Sequence, residues 1–343
     1  MPPEVNKPEM KVVILHDVVA DNAREDELDV LVEATAVSKA LSTLGHEPHS
    51  VGFSLDLPTV MEAIQKIKPD FIFNLVESVA GQGNLIHLAP ALLDYLHIPY
   101  SGSPTEALYL TSNKLIAKRL LKGHDILTPD WIFGGGSTAD EALDNSVFII
   151  KSVWEHASVG IDDNSTLVPK STEELQKAID RAQQQWHREF FAERFIDGRE
   201  FNISVLCGPE GPEVLPHAEI RFIDYPSGKR KIVDFRAKWD EASFEYHHTI
   251  RCFDFSPDDH PLLEKLSALA KECWQVFGLG GYARVDFRVD NDGNPWVLEI
   301  NANPCISPDS GFVAAADRAG INYADFIARI LKLQSSVCHE SAK

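Results

Sequence analysis

The sequence predicts an α/β fold, doubly wound in its first hundred residues and turning to α+β further on. Three observations predict it. Short apolar runs alternate with helix-period segments from Lys11 to Leu96, the pattern of a parallel sheet with crossover helices. A second strand–helix–strand unit follows around VFIIK (147–151) and FFAERF (190–195). Finally, Tyr282 to Asn301 alternates with a period of two on either side of a turn, the pattern of a hairpin with one buried face.

Taken in order, Lys11 to Val18 (KVVILHDV) reads as the first buried strand. Arg24 to Leu44 reads as a helix, with Leu28, Leu31, Val37 and Leu41 near helical spacing and Gly45 as its C-terminal cap. A helix over Thr59–Ile67 leads into the strand FIFNL at Phe71, and another spans His87 to Leu96. Ligands of doubly wound sheets sit beyond the carboxyl ends of the strands. That places His16, Asp17, Asn74 and Glu77 at the mouth of such a site, although each is also an ordinary polar loop residue.

Pro104 to His124 reads as one helix carrying Lys114, Lys118 and Lys122. The strand VFIIK ends on Lys151 beside the small-residue stretch SVWEHASVGIDD, a combination suited to cradling an anion. Gly134–Ser137 reads as a plain turn or linker. Ser171 caps a helix to Arg188, with Glu174 three residues on. Glu213 to Phe222 reads as a strand. Residues 224–250 are polar and irregular, with local positive charge from Lys229, Arg230, Lys231, Arg236 and Lys238, and they fit a mobile cover or a solvated loop equally. His247 and His248 are adjacent and, in a strand, would face opposite ways. Pro261–Phe277, Phe312–Ala319 and Tyr323–Leu333 read as helices, and the last ten residues as loose.

The hairpin carries the chemistry. Ala283, Val285, Phe287 and Val289 alternate with Tyr282, Arg284, Asp286 and Arg288; Trp296, Leu298 and Ile300 alternate with Val297, Glu299 and Asn301. A four-residue turn, Asn291–Asn294, sets Asp286 opposite Glu299 and Arg284 opposite Asn301. Slipping the register by one would push these charges among apolar side chains. Two carboxylates facing each other across a ladder repel and call for a cation. Hard oxygen ligands suit Mg²⁺, which shares its coordination with phosphates and water. The alternative is a solvated face with a surface ion pair, against which Trp296 and the dense apolar alternation argue.

Composition narrows the field. The chain has 343 residues, 44% of them hydrophobic and 24% charged, as in soluble globular proteins. Its length suits two or three domains. A formal charge of −20 disfavours nucleic acid as a partner. Five cysteines form no CxxC and no ligand spacing with histidine, which fits a reducing, cytoplasmic setting. No apolar leader and no membrane-length apolar run is visible.

IPYSGS, ASVGI, FIDGREF, RVDFRVDNDG and LEINANP, spread over nearly the whole chain, resemble the ATP-grasp superfamily and within it the D-alanine–D-alanine ligases. The resemblance implies the ATP-grasp fold behind an N-terminal α/β domain. It divides the chain into an N-terminal substrate domain (1–103), a central lid (104–192), a C-terminal domain (193–335) and a loose tail (336–343). It implies ATP between the last two domains, with two Mg²⁺ ions for which Mn²⁺ could substitute, and a homodimer. Lys114 and Lys151 then match the lysines on the ATP phosphates, with Ser158 in the loop beside them. Glu193, Arg194, Phe195 and Ile196 match the hinge at adenine, and Glu200 the carboxylate on the ribose. Lys238 matches the phosphate lysine of the covering loop; Asp286, Glu299 and Asn301 match the magnesium ligands. Arg284 matches the arginine that stabilises the oxyanion, with Ser310 and the backbone at Cys305 near the acyl substrate.

The implied reaction joins a small-molecule carboxylate to an amine through an acyl phosphate, releasing ADP and phosphate. The amino-acid half departs from the family. HDVVADNARED replaces the glycine-rich loop with its glutamate, Ala157 replaces a serine, Trp239 a tyrosine and Cys305 a glycine. The expectation is therefore an amino-acid or small-peptide ligase with substrates other than D-alanine plus D-alanine, Asn74 and Glu77 rebuilding the amine pocket beside Trp239 and Cys305. The alternatives are a true D-alanine–D-alanine ligase and a non-catalytic ATP-binding module, the latter disfavoured by the intact set Arg284, Asp286, Glu299 and Asn301.

Overall fold

The computed structural model describes residues 9–19, 23, 25–134, 136, 137, 143, 145–154, 161 and 165–340. The first sheet is parallel, built from β1 (Lys11–Asp17), β2 (Glu47–Phe53) and β3 (Phe71–Asn74) in the order β2-β1-β3. Its crossovers are α1 (Glu25–Thr43) and α2 (Leu57–Ile67), and α3 (Leu88–Leu96) follows. β1 is central because Val12, Val13, Ile14 and Leu15 are buried on both of its faces. β2 is absent from the sequence reading because EPHSVGF has little apolar pattern; only Val51 and Phe53 are buried.

The expected helix over 104–124 is two helices, α4 (Thr105–Ser112) and α5 (Lys114–Gly123). Asn113 makes the break. It leaves helical geometry, and its side-chain oxygen accepts from the Leu115 and Ile116 amides at 3.0 and 2.9 Å. That cap sets Lys114 at the first helical position of α5, buried, with its amide donating to Val153 across the chain.

The second sheet is antiparallel: β4 (Trp131–Phe133), β5 (Gly136–Ser137), β6 (Phe148–Ser152), β7 (Thr166–Leu167) and β8 (Phe190–Arg194), ordered β5-β4-β8-β6-β7. β5 occupies the stretch read from sequence as a turn or linker. α6 (Thr172–Trp186) covers this sheet, capped by Ser171 as its spacing predicts. β8 runs to Arg194, two residues past the boundary drawn from the family pattern.

The third sheet holds β9 (Arg199–Gly208), β10 (Gly211–Val214), β11 (Ala218–Phe222), β12 (Thr249–Cys252), β13 (Tyr282–Val289) and β14 (Pro295–Asn301). Its order is β12-β11-β9-β13-β14, with β10 also on β9. Two strands thus occupy the stretch 213–222 read as one. Residues 224–250 contain α7 (Phe235–Trp239) and α8 (Phe244–His248), so His247 and His248 lie on a helix rather than a strand; α9 (His260–Val276) packs beneath the sheet. α10 (Gly311–Arg318) and α11 (Tyr323–Glu340) follow, and α11 continues through residues read as loose.

The first and third sheets share one core. Val12, Ile14, Phe71 and Phe73 meet Tyr282, Phe312 and Phe326, with Phe312 and Phe326 5.4 Å apart and each edge-on or tilted to Tyr282 or the other. Phe312→Ala leaves a cavity at this junction. It is expected to cost about 3–5 kcal/mol, read as a lower urea midpoint; an unchanged midpoint would mean the two sheets are not joined there.

Candidate functional site

The β13–β14 ladder pairs Asp286 with Glu299 and Arg284 with Asn301, the pairing the sequence reading requires. It arrives by another route. The turn is one residue tighter than expected, the Asp290 amide donating to the Asn294 carbonyl, and a bulge at Leu298 restores the register before Glu299. The bulge also changes which side chains are covered. Val297 is buried, while Leu298 lines a cavity and Trp296 is only half-buried, its Nε1 donating to Asp290 at 2.9 Å. Burial of Trp296 therefore does not support the hairpin; Val285, Phe287, Val297 and Ile300 do.

On the polar face, Arg284 grips Asp286 through two parallel hydrogen bonds of 2.7 and 2.8 Å. Asn202, from β9, donates to Asp286 at 2.7 Å, and the Asn301 amide donates to Asp286 at 3.1 Å and to Glu299 at 3.5 Å. The Lys114 ammonium lies 3.5 Å from Glu299. Burial works against the Arg284 charge, but Asp286 beside it holds the guanidinium firmly ionised.

This face forms one wall of a cavity of about 570 Å³. Lys114, Lys151, Glu193, Phe195, Ile196 and Glu200 line it from α5 and the second sheet's end, and Lys238 and Trp239 from α7. Arg284, Asp286, Glu299, Asn301, Cys305 and Ser310 line it from the hairpin side, and Glu77 from the loop after β3. The structure thus gathers almost every residue singled out in the sequence. Arg194 is different: its side chain is exposed and outside the cavity lining, because alternation along β8 turns it away from Glu193. Asn74 is the buried last residue of β3, its side-chain oxygen accepting from the Val76 amide and its backbone amide donating to Ser101, so it shapes the loop that follows instead of facing a ligand. Asp17 likewise receives the Glu77 and Ser78 amides at 2.9 Å, and His16 bonds to Ser50. Ser158 and Ala157 lie outside the described residues.

Two buried charge groups were not legible in the sequence. Lys118, one turn after Lys114, reaches Glu193 at 2.5 Å, and Lys151 reaches the same carboxylate at 2.7 Å. Burial disfavours the Glu193 charge, but the two ammoniums outweigh it and hold the carboxyl below its usual range. Lys118 also donates to Thr128 and the Pro129 carbonyl; burial nevertheless lowers its pKa to about 8, Glu193 only partly opposing. Arg288, two residues beyond Asp286 on the alternating strand, pairs with Glu200 at 2.8 Å.

The carboxyls of Glu33 and Glu77 and the Cys305 sulfur lie within 4.8 Å of one another, Glu77 and Cys305 in the cavity lining. Glu33 accepts from the Ile306 amide at 2.6 Å. Burial pushes the Glu33 carboxyl well up, and Glu77, Asp29 and Asp17 push it further. Burial, then Glu33 and Glu77, raise the Cys305 thiol well above its usual range, so this cysteine stays protonated and is no thiolate nucleophile. The cavity lining therefore carries the cations Lys114, Lys151, Lys238 and Arg284 together with Glu77 and Asp29, the latter beside Cys305. Lys238 has no hydrogen bond or ion pair among the described residues, and burial lowers its pKa, Glu299 partly offsetting. The Trp239 Nε1 is shielded and has no hydrogen-bond partner among them either.

Residues 139–332 match the family model described as "D-ala D-ala ligase C-terminus". The D-alanine–D-alanine ligase of Aquifex aeolicus is 29% identical over 94% of this chain and 100% of its own. That of Synechococcus sp. (strain JA-2-3B'a(2-13)) is 30% identical over 88% and 87%. The crystal structure of the Bacillus anthracis D-alanine–D-alanine ligase complexed with ATP superposes with a TM-score of 0.72 at 22% identity, covering 97% of this chain and 99% of that one. Among the described residues no helix is long and apolar enough to cross a membrane.

The Lys118 geometry makes a pH prediction. Between its folded pKa of about 8 and its ordinary 10.5, the unfolded chain holds a proton that the folded protein has lost. Its contribution to stability therefore rises with pH across that window, by up to ~3 kcal/mol. In urea melts from pH 7.5 to 10.5 the wild type should gain relative to Lys118→Met; parallel curves would contradict the burial cost assigned to Lys118.

Proposed function

Because this chain belongs to the D-alanine–D-alanine ligase family, and is an ATP-grasp, ADP-forming ligase, we propose that it forms a dipeptide bond between two amino acids, with D-alanine as the first candidate for both. The observation that carries the reading is the make-up of one cavity lining: cations beside the Asp286–Glu299 pair, with Glu77 and Asp29 in the same lining to receive an ammonium.

The donor set suits a magnesium nucleotide. Asp286, Glu299 and Asn301 are hard oxygen-bearing groups already joined by hydrogen bonds, so all three reach a common point. Mg²⁺ there would neutralise charge on the phosphates during transfer. Lys114, Lys151 and the unpartnered Lys238 would hold the phosphate oxygens, since phosphoryl transfer is mostly positioning and charge neutralisation. Phe195 and Ile196 offer an apolar seat for a base, and Glu200, fixed by Arg288, an acceptor for ribose hydroxyls.

Phosphorylation turns the first substrate's carboxylate into an acyl phosphate, whose phosphate leaves when the second substrate's amine attacks. The oxyanion formed in that attack needs a fixed donor, and Arg284, locked by Asp286, supplies one. Glu77, with Asp29 in the same lining, is there to receive the ammonium. The covering residues Ile232, Val233 and Ala237 limit access of water, which would otherwise hydrolyse the acyl phosphate.

The names carried by the relatives favour D-alanine over the other substrates expected from the sequence departures. A different amino-acid pair is the second reading, favoured by Cys305 lying within 4.8 Å of the Glu33 and Glu77 carboxyls, where the resemblance has a glycine. A screen of ADP release and product mass with D-alanine, L-amino acids and dipeptides separates the readings. D-alanine should release ADP and yield the dipeptide. Turnover with another amino acid alone would select the second reading, and ATP binding without ADP release for any acceptor would leave only a binding module.

A further inference from the structure

Away from the hairpin's ligand set, a second group of donor side chains comes together at the cavity wall, and it contains sulfur. Asp29 and Glu33 are four residues apart on α1, so the helix puts both carboxylates on one face. That face meets Glu77 from the loop after β3 and Cys305 from the loop after β14. The Glu33 and Glu77 carboxyls and the Cys305 sulfur lie within 4.8 Å of one another, and the Asp29 Oδ2 lies 3.0 Å from the same sulfur. Like charges at helical spacing repel, yet among the described residues neither Asp29 nor Glu33 has an ion pair with a lysine or arginine.

Glu33 is the deepest of the group, 2% exposed. One of its oxygens accepts from the Ile306 amide at 2.6 Å, and the other meets no donor among the described residues. A carboxylate buried that far normally has its oxygens satisfied, so the second oxygen is available to a cation shared with Glu77 and Cys305. The frame around the group is fixed. Asp17 accepts the Glu77 and Ser78 amides at 2.9 Å each, and the Tyr323 hydroxyl donates to the Ile306 carbonyl at 3.1 Å. Ile306 is thus pinned at both amide and carbonyl, which sets Cys305 before it.

The donor set selects the cation. Mg²⁺ demands oxygen ligands, whereas Zn²⁺ is held tetrahedrally by thiolate and carboxylate together. Ligands roughly 2.0–2.3 Å from one zinc ion stand about 3.5 Å apart, so the three groups need to close in by only about an ångström. We infer that Glu33, Glu77 and Cys305 form a binding site for a thiophilic divalent cation of the zinc class, separate from the magnesium ligands of the hairpin, with Asp29 or water in the fourth position. On binding, a sulfur–metal bond replaces the S–H bond and the proton leaves to solvent. Glu77 and Cys305 line the cavity, so the ion takes the place where the dipeptide-ligase reading seats the substrate ammonium, and zinc stops turnover while magnesium supports it. That inhibition rests on the dipeptide reading; the metal site does not.

Co²⁺ is the probe, because a cobalt–thiolate bond gives a near-ultraviolet charge-transfer band that oxygen ligands do not. Titrated into the reduced full chain in excess Mg²⁺, Co²⁺ should raise this band to a plateau at one equivalent, and Zn²⁺ should bleach it. Cys305→Ser should abolish the band even though Cys207, Cys252, Cys273 and Cys338 remain. Glu33→Gln should need at least about tenfold more Co²⁺ for the same bound fraction. Should circular dichroism show Glu33→Gln misfolded, Glu77→Gln serves for the same measurement. A wild type without the band, a band that survives in Cys305→Ser, or unchanged Co²⁺ affinity in the glutamine variant overturns the inference. ADP release with D-alanine is followed alongside, with and without Zn²⁺. If the band behaves as stated while turnover ignores zinc, the metal site stands and the seat assigned to the substrate ammonium at Glu77 falls.

Discussion

Two carboxylates held opposite each other on one ladder are the constraint around which the site is arranged. Asp286 and Glu299 would destabilise a bare hairpin. Each is met by donors from separate elements: Arg284 on the same strand, Asn202 from β9, Asn301 from β14 and Lys114 from α5. Placing Lys114 there depends on the Asn113 break between α4 and α5, and placing Glu299 depends on the Leu298 bulge. Local chain geometry that would look incidental is what brings the charges together.

The same logic explains how a chain of net charge −20 can take a polyanion. Its cations are few, and several converge on one cavity: Lys114, Lys151 and Lys238 with Arg284. Fixing them has a cost, since buried ammoniums lose hydration. Glu193 offsets it for Lys151 and part of it for Lys118, whereas Lys238 is left without a partner. A phosphate would supply the charge that Lys238 lacks.

Much of this was legible in the sequence because alternation is a strong signal. The two hairpin strands, the pairing of Asp286 with Glu299, the Ser171 cap and most helices follow from period and capping alone. The misses have physical causes. A bulge has no sequence mark in a chain of alternating residues, so Trp296 was placed on the wrong side. An asparagine inside a helical pattern reads as a tolerated polar residue until its cap geometry is seen. Asn74 and Arg194 sit beside functional positions, and only the loop hydrogen bonds of one and the strand alternation of the other remove them from the cavity. Lys118 and Glu33 were silent because single charged residues on mixed faces usually point to water.

The central claim is that Asp286, Glu299 and Asn301 clasp the divalent ion of a magnesium nucleotide. Titrating Mn²⁺, followed by its electron paramagnetic resonance signal, into the ATP complexes of the wild type and of Glu299→Gln tests it most directly. The account predicts that Glu299→Gln needs at least about tenfold more Mn²⁺ for the same bound fraction, the usual scale for weakening a ligand set. Equal Mn²⁺ affinity in the two complexes would contradict it.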